Sequence, residues 1–156
     1  MSERQLEIRK VHPSQPDVAA LLEFHLQVAR AVTPEGLSFA LDQSALAQPG
    51  IVLFGIFVTD RLVAIGALSE LGADEVEVKS MRVDPGETGK GYGRVMLDHL
   101  IAEARRRGAS TVRLETGKTD TYIPANALYS SAGFVETGPF ADYRESDFNR
   151  FYALEL

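Results

Sequence analysis

Residues 86 to 93 read GETGKGYG. The strand-like run VKSMRV precedes them, and an amphipathic helical pattern follows. Four glycines in eight residues, where a strand becomes a helix, restrict the fold more than any other stretch. Glycine reaches backbone conformations closed to other residues and lets a ligand approach the main chain. A helix start presents unpaired N–H groups and the positive end of a dipole. Strand, glycine turn and helix in that order form a ready seat for a phosphate. On spacing alone the competing reading is a strand-to-helix turn with no ligand.

Two familiar phosphate loops do not fit. A Walker loop needs a glycine five residues before Gly89-Lys90 and a Ser or Thr after it; Asp84 and Gly91 stand there. A dinucleotide fingerprint started at Gly91 puts Met96 at its third glycine, and started at Gly89 it puts Arg94 there.

The chain around the loop reads as one domain, residues 1–156, a length that leaves little room for a second. Gln5 to Val11 alternates as a first strand and is closed by Pro13 and Pro16. Val18, Leu21, Leu22, His25, Leu26, Val28 and Ala29 recur at helical spacing, so His25 reads as a packed helix residue rather than a ligand. A turn at Thr33 to Gly36 leads into a short helix predicted from Ser38 to Ala47. After Pro49-Gly50, Ile51 to Val58 and Leu62 to Leu68 form a hairpin through Thr59-Asp60-Arg61. Glu75 to Val83 is a further long strand, and Tyr92 to Arg107 is a strong amphipathic helix. Ser110 to Thr116 reads as a strand, Pro124 to Ala132 as a helix, and strands begin at Gly133 and Phe151. This order predicts an α+β (mixed α/β) fold with one mostly antiparallel sheet. The strand after the crossover helix should run parallel to its neighbour.

Charge and composition exclude several functions. A net charge of -6 and a pI of about 5.1 argue against a nucleic-acid partner. The one basic run, Arg105-Arg106-Arg107, ends a helix before Gly108, where cations complement the dipole. The absence of cysteine removes disulfides, thiolate nucleophiles and cysteine-ligated zinc, and it suits the cytoplasm. MSERQLEIRK has no apolar signal region, no run reaches the ~20 apolar residues of a membrane span, and the three histidines form no metal motif. No metal and no membrane association are therefore expected.

Two motifs resemble the GNAT superfamily of acyl-CoA-dependent N-acetyltransferases. Thr88-Gly89-Lys90-Gly91-Tyr92-Gly93 is similar to its Gln/Arg-x-x-Gly-x-Gly/Ala signature between the fourth strand and third helix. ALYSSAGF, with Tyr129, Gly133 and Phe134, is similar to its later helix-Tyr then Gly-Phe signature. The likeness covers residues 5 to 156, and EVKSMRV, LETG, PANALY and PFADY resemble small bacterial members of the family.

The resemblance implies acetyl-CoA as co-substrate. Gly89, Lys90, Gly91, Tyr92, Gly93 and Arg94 would seat its pyrophosphate, and Met81, Arg82 and Val83 would lie along its pantetheine arm. The fourth strand would splay from the fifth. Thr88 replaces the usual Gln or Arg, and Tyr122 occupies the place of a frequent Asn; Asn126, out of register on the same short helix, is the remaining candidate for coenzyme contact.

The implied reaction moves an acetyl group to an amine of a small molecule or peptide, directly in a ternary complex. Tyr129 would be the general acid and Glu77 the leading base, with an N–H near Val83 facing the oxyanion. Glu115 is the second candidate base or an acceptor contact. Tyr122, Phe140, Asp142, Tyr143 and Arg144 are the other acceptor-side candidates. Asp142 would suit a cationic acceptor and Arg144 a carboxylate, so the acceptor's charge stays open. A homodimer is compatible with the family. The rival reading is a non-catalytic acyl-CoA-binding module on the same fold.

Overall fold

The structure is a computed structural model that describes residues 5–72 and 74–156. The first four residues of the expected domain, and residue 73, lie outside the described residues. The strands are β1 (Leu6–Val11), β2 (Ile51–Val58), β3 (Arg61–Glu70), β4 (Glu75–Val83), β5 (Thr111–Gly117), β6 (Val135–Thr137) and β7 (Asn149–Glu155). The helices are α1 (Pro16–Val32), α2 (Gln43–Leu46), α3 (Tyr92–Arg106) and α4 (Ile123–Ser131).

All seven strands join one sheet in the order β1-β2-β3-β4-β5-β7-β6. Every adjacent pair is antiparallel except β4 and β5, which are parallel because α3 crosses over between them. The predicted α+β class and the predicted parallel pair both hold.

Side chains alternate across the sheet. Phe54, Leu68, Val76, Val78, Val112 and Leu114 pack with Met96, Leu97, Leu100 and Ile101 of α3. Leu53, Phe57, Ile65 and Ala67 turn the other way, onto Val18, Leu21 and Leu22 of α1. Helix α3 comes very close to β3 at Gly66: a Cβ there would lie 2.7 Å from Met96 Cγ. Each large apolar side chain buried this way contributes roughly 1.5–3 kcal/mol of transfer free energy.

Helix α3 stops where the sequence sets a stop. Gly108 takes φ 77°. Its N–H reaches Arg105 O at 3.0 Å, and Ala109 N–H reaches Ala104 O at 3.0 Å. This pair of bonds is a Schellman cap. Arg106 and Arg107 pair with Glu103, so the basic run belongs to the helix end.

One predicted element is shorter than expected. The helix forecast from Ser38 to Ala47 is only Gln43–Leu46. Asp42 caps it, accepting from Ala45 N–H at 2.9 Å; a cap fixes a helix start at its own position. Residues 37–42 before it form no regular element and are free to line the site.

Candidate active site

Strand β4 is irregular at its middle. Ala67 pairs with Lys79, but Ile65 pairs with Arg82, so β4 carries one extra residue there. Ser80, at φ 54°, is in the left-handed region. A bulge of this kind bends a strand and adds twist. The β4–β5 ladder ends at Val78–Leu114, although β4 runs on to Val83 and β5 to Gly117. The diverging strands open a cavity of about 730 Å³.

Thr88, Gly89, Gly91, Tyr92, Gly93 and Arg94 line one end of the cavity. Gly89 and Gly91 hold φ 78° and 88°, and a Cβ on either would meet no atom within 4 Å. Gly91 is the N-cap of α3, with no side chain capping the helix. The first bond back to the cap is Val95 N–H to Gly91 O, at 3.1 Å. The N–H groups of Tyr92, Gly93 and Arg94 precede it, where a helix start leaves donors unsatisfied. A positive helix end with open space in front of it fits a pyrophosphate.

Lys90 does not line the cavity. It pairs with Glu87 at 2.7 Å, and Glu87, a buried carboxylate, also meets Arg61 at 3.3 Å. That pairing ties the loop to β3. Arg94 does line the cavity and bonds Asp98 at 3.0 Å.

The same cavity brings Glu77, Glu115, Tyr122, Tyr129 and Tyr143 together. Tyr129, on α4, is 7% exposed, with its ring against Phe134 and Tyr152. Burial pushes its hydroxyl up to about 12, so it keeps its proton across the working range. Burial also raises the Glu115 carboxyl to about 7; Lys79 and an Asn149 hydrogen bond pull it down, and Glu77 pushes it further up. Glu77 is buried and engaged: Lys79 Nζ lies 2.9 Å from its Oε2, and Tyr143 donates its hydroxyl to the same oxygen. Burial, then Glu77, raises the Tyr143 hydroxyl, which holds it in the donor form. The Tyr122 ring packs closely on Gly117, where an added Cβ would sit 2.1 Å from its Cδ2.

Besides Lys90, four expected site residues are placed elsewhere. Asn126 donates to Gly117 O at 3.0 Å and Tyr122 O at 2.8 Å, and accepts from Tyr152 at 2.9 Å. Its amide therefore ties α4 to β5 and β7, and it is absent from the cavity wall. Phe140 packs on Tyr143 and Phe151 behind the wall. Asp142 and Arg144 are exposed and outside the wall. Conversely, His25, Phe39, Leu41 and Lys79 line the cavity without having been singled out for it. The only local signal was His25 on an apolar stripe.

The family described as Acetyltransferase (GNAT) matches residues 18–134. A Bacillus subtilis protein named as the uncharacterized N-acetyltransferase YsnE is 36% identical over 139 residues, 89% of this chain and 92% of that one. A Klebsiella pneumoniae crystal structure assigned as an acyl-CoA N-acyltransferase superposes with TM-score 0.80 at 25% identity, covering 97% of each chain. A Bacillus subtilis acetyltransferase solved in complex with CoA has the same fold, with TM-score 0.73 at 18% identity over 97% of this chain and 99% of that one. Among the described residues no helix is long and apolar enough to cross a membrane.

Proposed function

The chain belongs to the GNAT acetyltransferase family, and from that premise we propose that it moves the acetyl group of acetyl-CoA to an amine by direct attack with both substrates bound. The observation that carries this reading is one cavity holding an open glycine seat, a carboxyl poised near neutrality and a protonated tyrosine. The homologous fold solved with CoA supports the choice of donor. Bound acetyl-CoA supplies an activated acyl carbonyl on a thiolate leaving group.

The chain's own residues supply the rest. Thr88, Gly89 and Gly91 to Arg94 would hold the pyrophosphate, and β4 beyond Val78, free of its β5 ladder, would offer main-chain groups at Met81 and Val83 to the pantetheine arm. A main-chain N–H near Val83 is the proposed oxyanion donor. We place the base on Glu115 rather than Glu77. A base works best with a pKa near the operating pH, and Glu115 has that poise, whereas Glu77 is occupied by Lys79 and Tyr143. Tyr129 holds its proton and donates a hydrogen bond to the developing thiolate. A binding module would need the glycine seat but would have no use for a poised carboxyl beside it.

Two measurements test the cofactor half of this proposal. Acetyl-CoA at about 100 times its Kd should add ~2.7 kcal/mol of stability, a rise in Tm of roughly 5–10 °C for a chain this size. The absence of any shift at saturation would remove the reading. Gly91→Asp should weaken coenzyme A binding, because it places a carboxylate in the open space before the helix start. The left-handed φ of 88° also makes it cost about 1–2 kcal/mol of stability. Circular dichroism should stay native while calorimetric titration loses affinity. Unchanged affinity would confine the glycines to making the turn.

A further inference from the structure

Three cationic side chains line the cavity: Lys79, Arg82 and Arg94. Lys79 is paired with Glu77 and Arg94 with Asp98. Arg82 has no carboxylate partner among the described residues. Its one hydrogen bond runs from Nε to His25 Nδ1, at 3.0 Å, and its guanidinium lies 5.9 Å from the Phe24 ring centre. His25 is a neutral acceptor, because burial first and the Arg82 charge second lower its imidazole to about 4. The contact therefore orients the guanidinium without cancelling its charge. Nη1 and Nη2 have no hydrogen-bond partner among the described residues.

The placement of that charge matters. Met81 and Val83 pack against the core beneath α3, while Arg82 between them turns to α1. Its charge acts on the hydroxyls of both Tyr122 and Tyr129, so it sits near the reacting end of the cavity. Leu37, Phe39, Leu41 and Phe148 give the same cavity apolar and aromatic walls. A half-buried cation without a counterion is costly until an anion reaches it, and the planar edge of a guanidinium matches a carboxylate through two parallel bonds.

We propose that Arg82, oriented by His25, anchors the acceptor, and that this acceptor is an amine carrying a carboxylate on an apolar or aromatic frame. The proposal rests on the reading of this cavity as an acetyl-transfer site. It makes Arg82 a specificity residue rather than the pantetheine contact the resemblance implied, where the sequence had pointed to Asp142 or Arg144 for the acceptor's charge.

The test compares matched acceptors: phenylalanine, leucine and γ-aminobutyrate, each beside its carboxamide. Thiol release gives kcat/KM for each member with the wild type and with Arg82→Gln, whose folding is checked by circular dichroism. The quantity read is the carboxylate-to-carboxamide ratio in each protein. The unequal basicity of the two amines cancels when the ratios are compared. The ratio should fall by about tenfold or more in the variant, the loss expected for a charge-assisted pair. A ratio unchanged by the substitution, with both members slowed alike, would overturn the anchor and make Arg82 a general charge at the reacting centre. A second readout needs no turnover: N-acetylphenylalanine and its amide are titrated into the coenzyme A-loaded protein. The acid should bind the wild type about tenfold or more tightly than it binds the variant, and the amide should show no such difference. Equal binding of the acid to both proteins would overturn the proposal. Failure of acetyl-CoA to bind, by contrast, would sink the acetyl-transfer reading itself.

Discussion

Tyr129→Phe is expected to lower kcat by roughly 10²-fold while leaving acetyl-CoA affinity nearly unchanged. The ring keeps its place against Phe134 and Tyr152, so packing is preserved and only the hydroxyl is lost. The size of the loss follows from how that hydroxyl works. Burial lifts it to about 12, well above the ordinary thiol value of about 8.5. Full transfer of its proton to a thiolate is therefore uphill, and its contribution is a hydrogen bond that strengthens as charge grows on sulfur. A thiolate can also leave without being protonated. Both points place the effect at the low end of the usual 10²–10⁴ range for positioned acid–base groups. Steady-state kinetics with a verified acceptor, beside direct acetyl-CoA binding, provide the check. A kcat within about threefold of the parent, far short of that range, would reduce Tyr129 to a packing residue.

The glycine turn proposed to hold the coenzyme was legible in the sequence because its physics is local. Glycines at 89, 91 and 93, a strand before them and a helix after them are neighbours in the chain, and backbone geometry follows from their order. The parallel β4–β5 pair was legible for the same reason, since a crossover helix of this length leaves few other arrangements. The acceptor end was not. The hydrogen bond from Arg82 to His25 spans 57 residues, and that from Tyr143 to Glu77 spans 66. No local pattern encodes such contacts. Asn126 shows the converse: a polar residue near the motif attracted a functional reading, but its amide is consumed in holding α4 to its neighbours. Residues 38–42 were read as the start of a helix, but Asp42 caps a shorter one that begins at Gln43, and Ser38 to Leu41 form part of the cavity wall.

The proposed exchange of roles between Glu77 and Glu115 has the same origin and leads to the second large effect. Both are strand glutamates facing one cavity, and sequence alone could not rank them, because a carboxyl's pKa is set by burial and by neighbours from other strands. Glu115→Gln is expected to lower kcat/KM by roughly 10²–10⁴-fold. It should also remove an acidic limb near pH 7 from the rate profile. The sign follows from the role: a base acts when ionised, so below about 7 the active fraction of the wild type shrinks with each drop in pH. A limb belonging to the acceptor amine would survive the substitution. Stability provides an independent check of the same group. The folded chain holds the Glu115 proton to about 7, against an ordinary 4.5. Between those values the folded state binds more protons than the unfolded state, so stability falls as pH rises through the window and the loss stays in place above it. The change in urea midpoint from pH 5 to pH 8 should therefore be more positive in Glu115→Gln than in the wild type, because the opposite slope of His25, lowered to about 4, is present in both. A variant that loses the stability slope but keeps the rate limb would show that Glu115 is poised without being the base. The chemistry would then pass to Glu77, which could act only by releasing the hold of Lys79 and Tyr143.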